Sequence, residues 1–159
     1  MEEQNGITLI TLVITIIVMI IITGVATYSG VESINSTKRM AFISELEMIQ
    51  AKVNTIYEKR KTSIEQKNYY DNLGSSINTL DEGMILEPLG GTSKEGFRYF
   101  SRDNLKQLDL ANINQDVIIN FDTREVISLT GFKIDNKMCY KLSNMPGYSK
   151  YNVEYKNNI

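Results

Sequence analysis

The sequence predicts an α+β protein in which one long N-terminal helix packs on a small antiparallel β-sheet. Three patterns lead to this fold class: a charge-free N-terminal stretch, a following stretch with helical periodicity, and short β-type runs separated by turn residues. We therefore predict five segments: 1–6 before the helix, an apolar helix over 7–31, an amphipathic helix over 32–68, a connecting loop over 69–96, and an antiparallel sheet region with a short helix over 97–159.

The apolar stretch is long enough to cross a membrane. Residues 7–31 contain no Asp, Glu, Lys or Arg, and as a helix they span about 37 Å, against about 30 Å of bilayer hydrocarbon. Many of them are β-branched, which disfavours a helix in water, but in lipid a lone segment satisfies its backbone amides only as a helix. Outside lipid this segment would aggregate. We therefore expect it to stay in the membrane or to pass into another water-free environment.

Threonines recur along the apolar segment. Thr8, Thr11, Thr15 and Thr23 fall close to one helix face, where each hydroxyl can bond to a carbonyl of the preceding turn. Two interpretations stay open: a polar contact stripe between helices, or threonines that the helix simply tolerates.

The second half of the helix carries one apolar stripe, formed by Phe42, Leu46, Ile49, Val53 and Ile56 at alternating spacings of four and three. We favour packing of this stripe on the chain's own sheet, with a short coiled-coil seam as the alternative. The basic run Lys59-Arg60-Lys61 is interpreted as a solvated helix face.

The β signals lie in the C-terminal part. We predict strands over 97–100, 116–122, 125–130, 132–134 and 137–142, with tight turns at Thr123-Arg124 and Asp135-Asn136. A short helix over 101–111 would be capped by Ser101 or Asp103 and would turn Leu105 and Leu108 inward. The strands form a meander of three to four, whose apolar face the 42–56 stripe covers. The Gly-rich stretch 69–96 is interpreted as an irregular connection.

Composition argues against several functions. The chain has no histidine and one cysteine, Cys139, expected as a half-buried thiol on a strand. We therefore expect no His-dependent catalysis, no metal, no cofactor and no enzyme activity, although a membrane-tethered hydrolase is a remote alternative. A net charge of −2 makes nucleic acid an unlikely partner. The run Gly90-Gly91-Thr92-Ser93-Lys94 lacks the full spacing of a phosphate loop.

The junction at residues 4–14, Gln-Asn-Gly-Ile-Thr-Leu-Ile-Thr-Leu-Val-Ile, resembles the N-terminus of type IV prepilins and pseudopilins. The resemblance covers about the first thirty residues, and it implies a pilin-like fold. It implies that 1–6 is a prepilin leader ending at Gly6, that a membrane peptidase cuts after it, and that Ile7 becomes the N-methylated terminus. The helix-assembly contacts that it implies are Thr8, Leu9, Thr11 and Thr15.

The resemblance also implies partners and location. Subunits of this family leave the membrane by packing their apolar helices into a filament core, which is the second water-free environment. The expected partners are other pilin or pseudopilin subunits, the prepilin peptidase, a membrane assembly platform, and membrane lipid before assembly. The protein is expected in the cytoplasmic membrane with its C-terminal domain outside, and then in an extracellular filament.

Two features depart from the family pattern. Thr11 stands where pilins usually carry a glutamate, so the chain is either a minor or tip subunit or a member of a lineage with a relaxed motif. The leader is acidic, with Glu2 and Glu3, whereas Lys38 and Arg39 follow the span. The positive-inside rule alone would place the C-terminal domain in the cytoplasm. We follow the resemblance and keep, as the alternative, an unprocessed single-pass membrane-anchored interaction protein.

Overall fold

The computed structural model describes residues 9–146 and 148, and within them the side chains of 11–23, 34–146 and 148. The chain divides into two compact units, Met1–Met40 and Ala41–Ile159. The described part combines helices with an antiparallel sheet. The α+β class predicted from sequence is therefore confirmed.

Two helices stand where the sequence analysis predicted one helix ending near residue 68. Helix α1 runs from Leu9 to Thr62, and α2 runs from Ile64 to Asp71. They are separated by Ser63, whose backbone is extended and whose Oγ accepts a hydrogen bond from the amide of Gln66 at 3.1 Å. A serine that caps the following turn competes with helix continuation, so the prediction of one uninterrupted helix is wrong at this residue.

The segment 69–96 is more ordered than predicted. It contains strand β1 (Ser75–Ser76), a 3₁₀ turn (Ile77–Thr79) and helix α3 (Glu82–Leu89). Asp81 caps the start of α3 through its carboxylate, and Gly90 ends it in the left-handed region at φ 57°. The interpretation as an irregular connection is wrong because its glycines and Asp81 mark the ends of short elements.

The remaining strands confirm the predicted β signals but not one continuous meander. The four-stranded antiparallel sheet has the order β1-β2-β3-β4, and β5 and β6 form a separate hairpin. Ser128 N donates to Tyr140 O at 2.8 Å, which connects the residue after β6 to β4. The strand bounds are β2 Phe97–Phe100, β3 Val117–Asn120, β4 Glu125–Ser128, β5 Phe132–Ile134 and β6 Lys137–Cys139.

A turn at Gly131 separates β4 from the hairpin. Gly131 has φ 66°, and a Cβ placed on it would lie 2.6 Å from the ring of Tyr140. Only glycine fits this backbone conformation and this close ring without strain. The predicted turns within the sheet region are confirmed, because Arg124, Asp135 and Asn136 all have positive φ.

The predicted short helix after β2 is a 3₁₀ helix, Asn104–Leu108. Ser101 Oγ accepts from the amide of Asn104 at 3.2 Å, whereas Asp103 makes no side-chain cap bond. Leu105 and Leu108 are buried, as predicted.

Both faces of the four-stranded sheet are covered. On one face, the predicted α1 stripe is fully buried against Val117, Ile119 and Phe121. On the other face, Ile118 and Ile127 pack with Ile85 and Leu89 of α3. The predicted helix-on-sheet packing within 41–159 is confirmed, and α3 is a second cover that the sequence analysis did not predict.

The burial of the α1 stripe leads to a stability prediction. Ile49 is fully buried and Ile64 is 80% exposed, and both lie on helices. Replacing Ile49 by Ala leaves a core cavity and should lower the free energy of unfolding by about 2–5 kcal/mol. The matched control Ile64→Ala should change it by less than about 0.5 kcal/mol. Urea unfolding of the full chain in detergent, followed by tyrosine fluorescence, measures both. Equal losses would contradict the placement of the stripe.

Candidate functional site

The structure describes part of the predicted assembly site. Gly6, Ile7 and Thr8 lie outside the described residues, so the predicted cleavage and methylation site stays a prediction. Leu9 begins α1, and its backbone is described. Thr11 and Thr15 lie on α1 with exposed side chains.

Two of the threonine hydroxyls, those of Thr15 and Thr23, are bonded within the helix. Thr15 Oγ1 donates to the carbonyl of Leu12 at 2.8 Å, and Thr23 Oγ1 donates to the carbonyl of Met19 at 2.7 Å. A hydroxyl satisfied in this way can enter an apolar environment at little cost. Both acceptors lie in the preceding turn, three residues back for Thr15 and four residues back for Thr23.

The side chains of residues 11–23 are exposed all around the helix. Among the described side chains, no helix is long and apolar enough to cross a membrane. Ten large apolar residues in this stretch have exposed fractions of 45 to 69%: Leu12, Val13, Ile14, Ile16, Ile17, Val18, Met19, Ile20, Ile21 and Ile22. They occupy every position from 12 to 22 except Thr15, so they cover every direction around the helix axis. A helix with apolar side chains on all sides is normally surrounded by lipid or by other protein.

A polar site, separate from the predicted assembly segment, lies at the C-terminal end of α1 around Arg60. The interpretation of Lys59-Arg60-Lys61 as a solvated face is wrong for Arg60, whose side chain is 6% exposed. Its Nη2 lies 2.6 Å from Asp71 Oδ1, its Nη1 lies 3.0 Å from Asp122 Oδ1, and its guanidinium carbon lies 5.7 Å from the centre of the Phe121 ring. Two carboxylates and a ring face compensate the buried charge.

The sequence contained a signal for this burial. Arg60 follows Ile56 by four residues, so it continues the spacing of the buried stripe. A basic residue in phase with a core stripe points inward and needs buried or half-buried acidic partners. The charge of the run suggests a solvated face, whereas the phase of Arg60 in the helix indicates burial.

Arg60 lines a cavity of about 490 Å³, which we call the Arg60 cavity. Its wall also includes Asp71 of α2, Asn78 of the 3₁₀ turn, Arg98 of β2 and Asp122 of the β3–β4 turn. The Nε of Arg60 is buried and has no hydrogen-bond partner among the described residues. Such an unpaired buried donor is uncommon in folded proteins and requires an explanation.

The other cations of this cavity are held in place. Arg98 donates from Nε to the carbonyl of Leu73 at 3.0 Å and from Nη2 to the carbonyl of Gly74 at 3.1 Å. Lys94 Nζ lies 2.7 Å from Glu82 Oε1, and the Lys94 ammonium holds the pKa of the Glu82 carboxyl below its usual value through this hydrogen bond and its charge. Each of the three cations of the cavity wall therefore has polar partners in the described part of the chain.

Two further residues singled out in the sequence have structural surroundings. Cys139 lies on β6 and is buried more fully than predicted, with its Sγ 3.5 Å from the carbonyl oxygen of Asn144. Lys94, in the glycine-rich run, pairs with Glu82. Among the described residues, no group of three or more His, Cys, Asp or Glu side chains could hold a metal ion.

Known proteins give no match to this chain in three comparisons, which covered family models, curated proteins and solved structures.

Arg60 gives a second prediction. Replacing both Asp71 and Asp122 by Ala leaves an uncompensated buried guanidinium and should lower the free energy of unfolding by about 3 kcal/mol, the lower end for a buried pair because both carboxylates are partly exposed. Arg60→Met leaves the two carboxylates accessible to water and should cost less, about 1 kcal/mol. Urea unfolding compares the two variants. A larger loss in Arg60→Met would show that the guanidinium contributes through packing and not through charge compensation.

Proposed function

We propose that this chain is a structural subunit, a pilin, minor pilin or pseudopilin, of a type IV pilus-like filament or a related secretion or DNA-uptake machine. In this proposal a prepilin peptidase removes residues 1–6, Ile7 becomes the methylated N-terminus, and α1 assembles with the helices of other subunits. The chain acts by assembly and not by catalysis.

The observation that carries the proposal is the exposed apolar surface of α1 over residues 11–23. Leaving this surface in water would cost about 25 cal/mol for each Å². The charge-free stretch in the sequence is longer, 7–31, than the part whose side chains the structure describes. A segment with these properties requires lipid before assembly and a bundle of similar helices afterwards.

The C-terminal unit supports the same proposal. Within 41–159, the C-terminal part of α1 packs its apolar stripe on an antiparallel sheet. The C-terminal part of α1 belongs to a folded unit, and its N-terminal part is apolar on all sides. In the proposal, the N-terminal part is the assembly segment. The family whose N-terminal junction resembles Gly6-Ile7 has the same order of elements, a long N-terminal helix followed by an antiparallel sheet.

The proposed location follows from the assembly step. Before assembly, the chain is anchored in the cytoplasmic membrane with residues 41–159 outside, in contact with a membrane assembly platform. After assembly, it belongs to an extracellular filament. Thr11, where pilins usually carry a glutamate, fits a minor or tip subunit, which has no neighbour ahead to pair with, and equally fits a lineage with a relaxed motif.

A second candidate function is an unprocessed, single-pass interaction protein. Two observations favour it: Lys38 and Arg39 follow the apolar segment, and the residues before that segment include no basic side chain. By the positive-inside rule this distribution holds the C-terminal unit in the cytoplasm. The two candidates differ in cleavage and in orientation, which the next two experiments measure.

The cleavage prediction concerns Gly6. In cells that contain a prepilin peptidase, mass spectrometry should find an N-terminal peptide beginning with methylated Ile7. Gly6→Arg should abolish the cut and leave a larger protein, because a long charged side chain replaces the residue at the cleaved bond. The matched control Asn5→Arg adds the same charge one residue earlier and should still be cut. An intact N-terminus in the unsubstituted protein would contradict the filament proposal and favour the unprocessed interaction protein.

The orientation prediction uses a reporter fusion. Alkaline phosphatase joined after Leu142 folds and is active only outside the cytoplasm, so we expect an active fusion. The matched β-galactosidase fusion at the same residue should be inactive. The reverse pattern would place the C-terminal unit inside the cell and contradict the filament assignment.

A further inference from the structure

We propose that the Arg60 cavity binds a neutral, hydroxyl-rich ligand, a short saccharide. This binding function goes beyond the proposed filament role and does not depend on it. The cavity volume of about 490 Å³ lies within the range of roughly 300–1,000 Å³ that is usual for small-molecule sites.

The cavity offers hydrogen-bond donors. Arg60 has a buried Nε–H without a partner among the described residues, which costs about 1–3 kcal/mol, and in the ligand complex this donor would turn toward the cavity. Arg98 uses two of its five N–H groups on the carbonyls of Leu73 and Gly74. Arg98 has no further side-chain hydrogen bond to the described residues, so its remaining N–H groups can donate to a ligand.

The cavity also offers acceptors beside these donors. Asp71 Oδ1 accepts a hydrogen bond from Arg60 and Asp122 Oδ1 is ion-paired with it at 3.0 Å, which leaves the second carboxylate oxygen of each for a ligand. Their side chains are 39% and 70% exposed, so a ligand can reach them. Arg60 is ion-paired with both carboxylates at the wall of the cavity.

Charge selects between ligand classes. The ionic side chains of the wall are three cations and three anions, so they cancel: Arg60, Lys94 and Arg98 against Asp71, Glu95 and Asp122. An anion that approaches the guanidinium groups would meet the two carboxylates, and a cation that approaches the carboxylates would meet the guanidinium groups. A hydroxyl group both donates and accepts without charge, so it can use both sets of groups.

The wall of the cavity also includes apolar side chains. Ile77 and Phe97 line it and are each 4% exposed, next to the exposed polar residues Ser76 and Asn78. A sugar ring has a C–H face and a rim of hydroxyl groups, so it matches a wall that is apolar in one part and polar in another. This arrangement distinguishes a saccharide from a fully polar small molecule.

The test uses the full chain in a zwitterionic detergent, since a maltoside detergent would itself offer sugar. The probes are glucose, N-acetylglucosamine and maltose, with inorganic phosphate as the anionic probe and putrescine as the cationic probe. We expect at least one saccharide to bind with a Kd of about 1–10 mM by calorimetry. It should also shift the NMR signal of Arg60 Nε–H. Phosphate and putrescine should not bind at this site.

Two variants make the test specific. Asn78→Trp fills the cavity from an exposed position and should weaken saccharide binding at least about tenfold, a change of 1.4 kcal/mol. The control Asn114→Trp places the same side chain at an exposed position outside the cavity and should bind like the unsubstituted protein. Thermal unfolding verifies that both variants fold. If Asn78→Trp does not fold, Asp122→Asn, which removes one charge and one acceptor oxygen, takes its place and should also weaken binding.

Three results would overturn the proposal. The first is that none of the three saccharides binds. The second is that phosphate or putrescine shifts the Arg60 signal more strongly than any saccharide. The third is that a folded variant of the cavity wall binds a saccharide as tightly as the control does.

Discussion

The burial of strand β3 on both faces is the constraint on which the C-terminal unit depends. All four residues from Val117 to Asn120 are buried. Since successive side chains of a strand point to opposite faces, such a strand needs a cover on each side. The α1 stripe is one cover, and α3 with the 3₁₀ turn before it is the other. The segment between α2 and β2 supplies this second cover through α3, although its glycines and its proline suggest a loop.

Arg60 lies at the transition between the apolar stripe of α1 and its solvated end. Its two carboxylate partners come from α2 and from the β3–β4 turn, so one guanidinium joins three separate parts of the unit. A hydrophobic residue at this position should cost the fold only about 1 kcal/mol, because the two carboxylates would stay accessible to water. A buried cation bordering a polar cavity is consistent with a role in recognition, because it fixes the carboxylates that a ligand would contact.

Much of the fold could be predicted from periodicity, and the failures have physical causes. The stripe from Phe42 to Ile56 and the turns at Arg124 and Asp135-Asn136 were recognised because each pattern is local. The break at Ser63 was missed because a cap of one residue competes with a long helical pattern. Helix α3 is not predicted from the sequence, because eight residues give little periodicity. The continuous apolar run in β3 indicates burial on both faces, but it was used only to predict a strand. The Arg60 cavity depends on side chains from distant segments, and no local pattern contains that information. Of the predicted assembly residues, the structure describes the backbone of Leu9 and the side chains of Thr11 and Thr15.

The edges of the four-stranded sheet limit how strands of different copies of the chain can pair. One outer strand, β1, is only two residues long, and on the other side the amide of Ser128 already donates to the carbonyl of Tyr140. The four-stranded sheet therefore offers only short edges, of two and four residues, for a foreign strand to join. In the proposed assembly, where copies would lie close together, these short edges would limit pairing between the four-stranded sheets of neighbouring copies.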